Sequence, residues 1–258
     1  MTRRYLAPAA FALLLAAIAI DTAAQEPAYM DAATHPGAGQ FYTRLLVSQS
    51  EYAEDGTEIE DFGAVLKLVY GIQPTLAVLA EGEFASLSAN DDDETGLLSS
   101  TFQLKYRLFK SDLGPLNTWM SSVLAGVTFP GDMDATANMD TYPRCALVSS
   151  AILGRHGVNG ELEWEGRGTE PDRFTLNASH LYRLAPAEYA ANTRGAWYTM
   201  VESLNQFTDD GDSRFDIAIG ILYEARRWAC EASLRLPLEQ DWSREEDYTV
   251  TLGVRYLP

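Results

Sequence analysis

The stretch FGAVLKLVYGIQPTLAVLAEGEF, residues 62–84, alternates apolar and polar positions on both sides of a turn. Phe62, Ala64, Leu66, Leu68 and Tyr70 make one face, opposite Asp61 and Lys67; after Gly71-Ile72-Gln73-Pro74 the chain reverses, and Leu76, Val78, Ala80 and Phe84 oppose Glu81 and Glu83. Successive strand side chains point to opposite faces, so a period of two marks β-structure, where a helix would repeat every 3.6 residues. The charges sit in mid-strand rather than at the ends.

Outward from this hairpin the pattern continues. Upstream, Gln40–Ser50 sets Phe41, Thr43, Leu45 and Val47 against Tyr42, Arg44, Leu46 and Ser48; downstream, Leu97–Phe109 sets Phe102, Leu104, Tyr106 and Leu108 against Thr101, Gln103, Lys105 and Arg107. Further strands are expected at Asn117–Phe129, Arg144–Leu153, Val158–Arg167, Arg173–Leu184, Gly195–Phe207, Arg214–Tyr223, Trp228–Leu238 and Tyr248–Leu257. That makes about twelve, most near the ~10 residues that a tilted membrane strand needs. The expected fold is all-β: a transmembrane antiparallel up-and-down barrel over residues 40–258.

The connections alternate between two kinds. Compact turns lie at Gly71–Pro74, Lys110–Leu116, Gly154–Gly157, Ala185–Arg194 and Glu224–Arg227. The other set is acidic, with Glu51, Glu54, Asp55, Glu58, Asp91–Glu94, Asp132, Asp134, Asp140, Glu170, Asp172, Asp209, Asp210, Asp212, Asp241 and Glu245–Asp247. More than half of the 37 acidic residues thus fall at one end of the sheet. Outer-membrane barrels keep short turns in the periplasm and long loops outside, so the acidic loops are expected to be extracellular and both termini periplasmic. Tyr70, Tyr106, Trp119, Trp164, Tyr182, Trp197, Tyr223, Trp228 and Tyr256 fall near strand ends, where interfacial girdles belong. The rival architecture is a secreted soluble sandwich or calyx, because alternation alone does not tell inside from outside. Charged residues in strand middles and aromatics at strand ends favour the membrane barrel.

Ahead of the strands, Arg3 and Arg4 precede an uncharged run, Tyr5–Ile20, that ends at Asp21-Thr22-Ala23-Ala24. This reads as a secretory signal peptide, residues 1–24, cleaved after Ala24. Residues 25–39 are expected to be a short periplasmic lead-in. A net charge of −18 excludes a nucleic-acid footprint. Cys145 and Cys230 are expected near opposite ends of the sheet, too far apart for a disulfide.

No chemistry of an enzyme is legible. A hydrolase needs a nucleophile and a base held together, yet His35 precedes the barrel, His156 sits in a turn and His180 shares a face with Phe174, Leu176, Ala178 and Tyr182. Catalytic residues, cofactors and metal ligands are therefore expected to be absent; Asn90–Glu94 is a solvated charge run without the spacing of a calcium loop.

With the strands laid out, YGIQPTLAVLAEGEF (70–84), LAGVTFPGD (124–132) and LYRLAPAEYAANTRGAW through ILYEARRWACEASLRLPLEQDW (181–242) resemble the outer-membrane transporter family associated with the meta-pathway of phenol degradation. The resemblance spans nearly the whole mature chain and rests on turns and strand patterns. It implies a periplasm-to-exterior barrel moving small molecules, hydrophobic or aromatic ones included, and transfers no site residue. The terminal aromatic usual in such barrels is displaced, since Leu257 and Pro258 follow Tyr256.

The candidate site is the inward polar set: Arg44, Lys67, Glu81, Glu83, Lys105, Arg107, Glu161, Glu163, Glu165, Arg183, Glu202, Glu231, Arg235 and Arg255. If the turn at 72–74 sets the register, Lys67 lies diagonal to Glu81, and Lys105 and Arg107 on the next strand face the same acids. A paired lining of this kind either selects solutes at a constriction or fills and stabilises a narrow lumen. The leading expectation is a narrow outer-membrane channel in a Gram-negative cell; the alternative is a structural or surface-interaction barrel with a closed lumen, and a membrane-embedded hydrolase stands third. The expected partners are outer-membrane lipids and lipopolysaccharide, the barrel-assembly machinery and a small solute.

Overall fold

The computed structural model describes residues 26–258 except 55–56, 90–91, 115–116, 134–138, 190–192 and 242–243. The signal segment and its cleavage point therefore lie outside the described residues, as do Asp55, Asp91 and Asp134. Twelve strands follow one another: β1 (Phe41–Glu54), β2 (Thr57–Gln73), β3 (Leu76–Ala89), β4 (Asp92–Gly114), β5 (Asn117–Pro130) and β6 (Tyr142–Leu153). The second half comprises β7 (His156–Glu165), β8 (Arg173–Ala185), β9 (Gly195–Thr208), β10 (Ser213–Ala225), β11 (Trp228–Asp241) and β12 (Arg244–Tyr256).

Each strand pairs antiparallel with its sequence neighbours, and β1 closes on β12, so the sheet is an up-and-down barrel. Closure leaves no edge whose amides would face lipid unpaired, at several kcal/mol each. The outer wall is apolar: Phe102, Leu104, Leu108, Leu162, Leu176 and Leu252 are all more than half exposed. So extensive an exposed apolar surface marks a lipid-facing wall. Aromatic side chains ring the short-turn end, with Tyr223 centred 4.8 Å from Trp197 and 5.2 Å from Trp228, and Trp119 5.0 Å from Phe109. Cys145 and Cys230 are both exposed and unlinked.

Three local departures from regularity position the lumen residues. β4 runs for 23 residues, past the expected stop at Phe109, because irregularities at Arg107/Phe109 and Asp112/Gly114 shift its phase without ending its pairing with β5. The β11–β12 ladder ends at Arg235↔Thr249, two residues before Pro237, which has no N–H to offer. Beyond it the Gln240 side-chain amide takes over: its Nε2 donates to the Glu246 carbonyl at 2.9 Å and its Oε1 accepts from the Glu246 N–H at 2.8 Å. Finally, the chain end turns inward. Leu257 donates its N–H to Arg227 O at 2.8 Å and is buried in an apolar cluster with Tyr42 and Val69.

Candidate functional site

The lead-in, residues 26–38, lies inside the barrel. It enters at the short-turn end, where Gly71 allows the backbone to cross: a Cβ there would stand 2.3 Å from Gly37 O and 2.7 Å from Pro36 O. Gly39, at φ +75°, supplies the left-handed bend that this entry needs. The segment then folds back on itself, with Thr34 Oγ1 donating to Glu26 Oε1. Small side chains make this fit; Ala28, Ala32 and Ala33 are almost fully buried.

Wall residues hold this plug through its backbone. Glu202 accepts the N–H groups of Ala28 at 2.8 Å and Tyr29 at 3.1 Å. Ser150 Oγ accepts from Ala33 N at 2.8 Å, Ser122 Oγ donates to Ala33 O at 3.2 Å, Lys105 Nζ donates to Ala32 O, and Arg44 Nη2 donates to Pro27 O at 2.5 Å. Charge adds to this. Glu26 pairs with Arg255 at 2.8 Å, and Asp31 with Lys67 at 2.9 Å. Burial alone would raise the Glu26 carboxyl, but Arg255, Lys105 and Arg44 outweigh it and hold it below the ordinary value. For Asp31 burial is likewise overcome, by Lys67 and Lys105, which keep it well below the carboxylate range. His35 is pushed down to about 3 by burial and by the nearby Lys105 and Arg107.

Above the plug tip, toward the acidic end of the barrel, lies a cavity of about 300 Å³ whose floor is Ala28–Asp31. Its wall carries Lys67, which bridges Asp31 and Glu81 at 2.9 Å each, and Arg144, which reaches Glu163 at 2.6 Å and Glu81 and Glu165 at 3.9 Å. Arg173 approaches Glu165 at 3.7 Å. On the other side of the lumen, Arg214 and Arg235 share Asp216 and Glu246 at 2.7 to 3.5 Å, and Arg235 lies over the Tyr29 ring at 5.3 Å.

Of the fourteen candidates, Lys67, Glu81, Glu83, Glu161, Glu163 and Glu165 line this cavity together with Arg44. Glu202, Glu231, Arg255 and Lys105 surround the plug, Glu231 holding Arg44 at 2.8 Å. Arg183 is buried near the short turns, its guanidinium 4.1 Å from the Tyr189 ring centre, and Arg107 lies beside His35 at the same end. Two expected pairings are corrected. Lys67 is directly opposite Glu81, not diagonal to it. Lys105 and Arg107 do not meet Glu81 and Glu83: the β3–β4 register puts Thr101 opposite Glu81 and Lys105 opposite Ala77, so Lys105 serves the plug and Arg144 takes its place.

Glu246, read from sequence as a loop acid, is another correction. β12 begins at Arg244, and Glu246 is buried between Arg214 and Arg235. Arg144, Arg173, Arg214 and Asp216 were missed as lining residues, although each occupies an inward phase near a strand end. Glu26, Tyr29, Asp31 and His35 left no signal, since the lead-in has no period. His35 Nε2 does sit 3.0 Å from Ser122 Oγ, but its Nδ1 has no partner among the described residues, so no acid orients it as a base. His156 and His180 bond to each other at 3.0 Å on the outer wall.

No protein-family model matches the sequence, and no curated protein is similar to it at a significant level. Among solved structures, an outer membrane channel from Pseudomonas putida F1 superposes with a TM-score of 0.61 at 12% identity, covering 90% of this chain and 100% of that one. LpxR from Salmonella typhimurium superposes at 0.50 with 8% identity, covering 83% and 99%. At such identities the likeness establishes the fold alone, and what this chain shares with both is a closed β-barrel.

Proposed function

We propose that this protein is an outer-membrane channel for small solutes, narrowed near its periplasmic end by its own N-terminal segment. The observation that carries the reading is the pairing of an apolar outer wall with an ionised lumen that widens into a cavity above the plug. A barrel that only had to span lipid would be more cheaply filled with apolar side chains, since buried ion pairs seldom exceed a hydrophobic core in stability. Short turns then face the periplasm, acidic loops face outward among lipopolysaccharide, and the chain reaches the membrane by export and assisted barrel assembly. The hydrophobic or aromatic solutes implied by the family resemblance would have to displace water from charged groups in this cavity, which favours polar solutes by that route.

Planar-bilayer recording tests the proposal: native protein should give small, weakly cation-preferring steps that lose their preference as salt screens the acidic mouth. A wide native pore or an anion preference defeats it. The grip on the plug also favours a second reading, a surface or structural barrel that never opens. Silence of both native and plug-deleted protein would select that one.

A further inference from the structure

The cavity is charged on all sides, but its two signs are not equally satisfied. Every base on its wall is engaged by a protein acid: Arg44 by Glu231, Lys67 by Asp31 and Glu81, Arg144 by Glu163, and Arg173 by Glu165. Two acids are not so matched. Glu83 on β3 accepts one hydrogen bond, from Ser99 Oγ at 3.2 Å. Glu161 on β7 accepts from Asn177 Nδ2 at 3.0 Å and Asp31 N at 3.3 Å. Neither has an ion-pair partner among the described residues, and both line the cavity.

We propose that this cavity is a binding site for a small organic cation with two separated ammonium groups, a short aliphatic diamine. Carboxylates shielded from bulk water are strongly favoured by a cation with N–H donors, because the low local dielectric magnifies both the attraction and the hydrogen bonds. Glu83 and Glu161 come from walls four strands apart, which suits a ligand with a charge at each end. A single metal ion does not suit it: among the described residues no three acidic, histidine or cysteine side chains converge to hold one. An anion would find every wall base already neutralised. The volume, about 300 Å³, is at the lower limit of small-molecule pockets and matches a short chain.

The physiological use of this site rests on the channel reading, but its existence does not. Putrescine is titrated calorimetrically into the detergent-solubilised full-length mature protein, with heat-modifiable gel migration as the check on folding. Saturable binding is expected, weakened at least about tenfold by E83Q together with E161Q, less by either alone, and unchanged by E188Q on a short-turn loop. Glutamate should not bind. Absence of binding to folded native protein overturns the site, as does equal binding to folded single variants. Diamine binding without solute flux in plug-deleted vesicles would keep the site and remove the channel; flux without binding would do the reverse.

Discussion

The plug and the cavity above it are built from the same residue types, and they differ in what those residues meet. At the plug, wall groups are spent on the chain's own backbone: Glu202, Ser150, Ser122, Lys105 and Arg44 all bond to main-chain atoms of residues 27–33. Around the cavity, charged groups bond mostly to other side chains, and two carboxylates remain without a cation. A lumen can therefore be closed by supplying backbone partners to its wall. It can stay receptive just above, where side chains neutralise one another incompletely.

The largest expected effect comes from abolishing the plug. Deleting residues 26–34 should raise single-channel conductance about tenfold or more, since a twelve-stranded barrel lies between side-chain-filled and openly aqueous sizes. Unchanged conductance would mean that the cavity wall, not the plug, is the constriction. Next in size is stability. Arg44 and Glu231 are 6% and 5% exposed, so Arg44→Ala strands a buried carboxylate and should cost about 3–5 kcal/mol in urea unfolding from vesicles. Arg144, at 19% exposure, faces the cavity, where water can reach the Glu163 carboxylate that it leaves, so Arg144→Ala should cost less, about 1–3 kcal/mol. Equal losses would erase the contrast between the two regions.

Acid should loosen the plug in two stages. His35 titrates at about 3 when docked and near 6.5 when free, so docking favours its neutral form. Its contribution is complete above pH 6.5 and is lost as pH falls toward 3. Glu26 and Asp31 have depressed values, so theirs is complete above the ordinary carboxylate range and fades only below it. Conductance should thus begin to rise in mild acid, and His35→Gln should move that onset to lower pH. An onset unmoved by His35→Gln would assign the acid response elsewhere. The smallest effect concerns the two ends of the barrel: reagents on intact cells should label the loop at Asp210 and spare the turns at Pro74 and Arg226, with no change in stability. The opposite pattern would invert the barrel.

How legible each region was depended on periodicity. Wherever strands keep a strict phase, as in β2 and β10, the alternation told inward from outward residues and placed strand limits within a few positions. It failed in β4, where irregularities break the phase while the ladder continues, so ten or so paired residues were read as turn or loop. It failed again at Glu246, whose neighbours Glu245 and Asp247 are exposed and make the run look like a loop.

The sequence by itself determined an all-β chain, about a dozen strands, an acidic end and a polar lumen, because each of these follows from a local period of two and from where charges fall within it. Only the tertiary structure decided which charges meet. Pairing across the lumen depends on the stagger accumulated around the closed sheet, and a shift of a few residues between β3 and β4 was enough to send Lys105 to the plug and bring Arg144 to Glu81. The plug itself is the extreme case. Ala28 and Glu202 are 174 residues apart, and nothing in a short segment without a period records that a ring of distant polar groups will close around it.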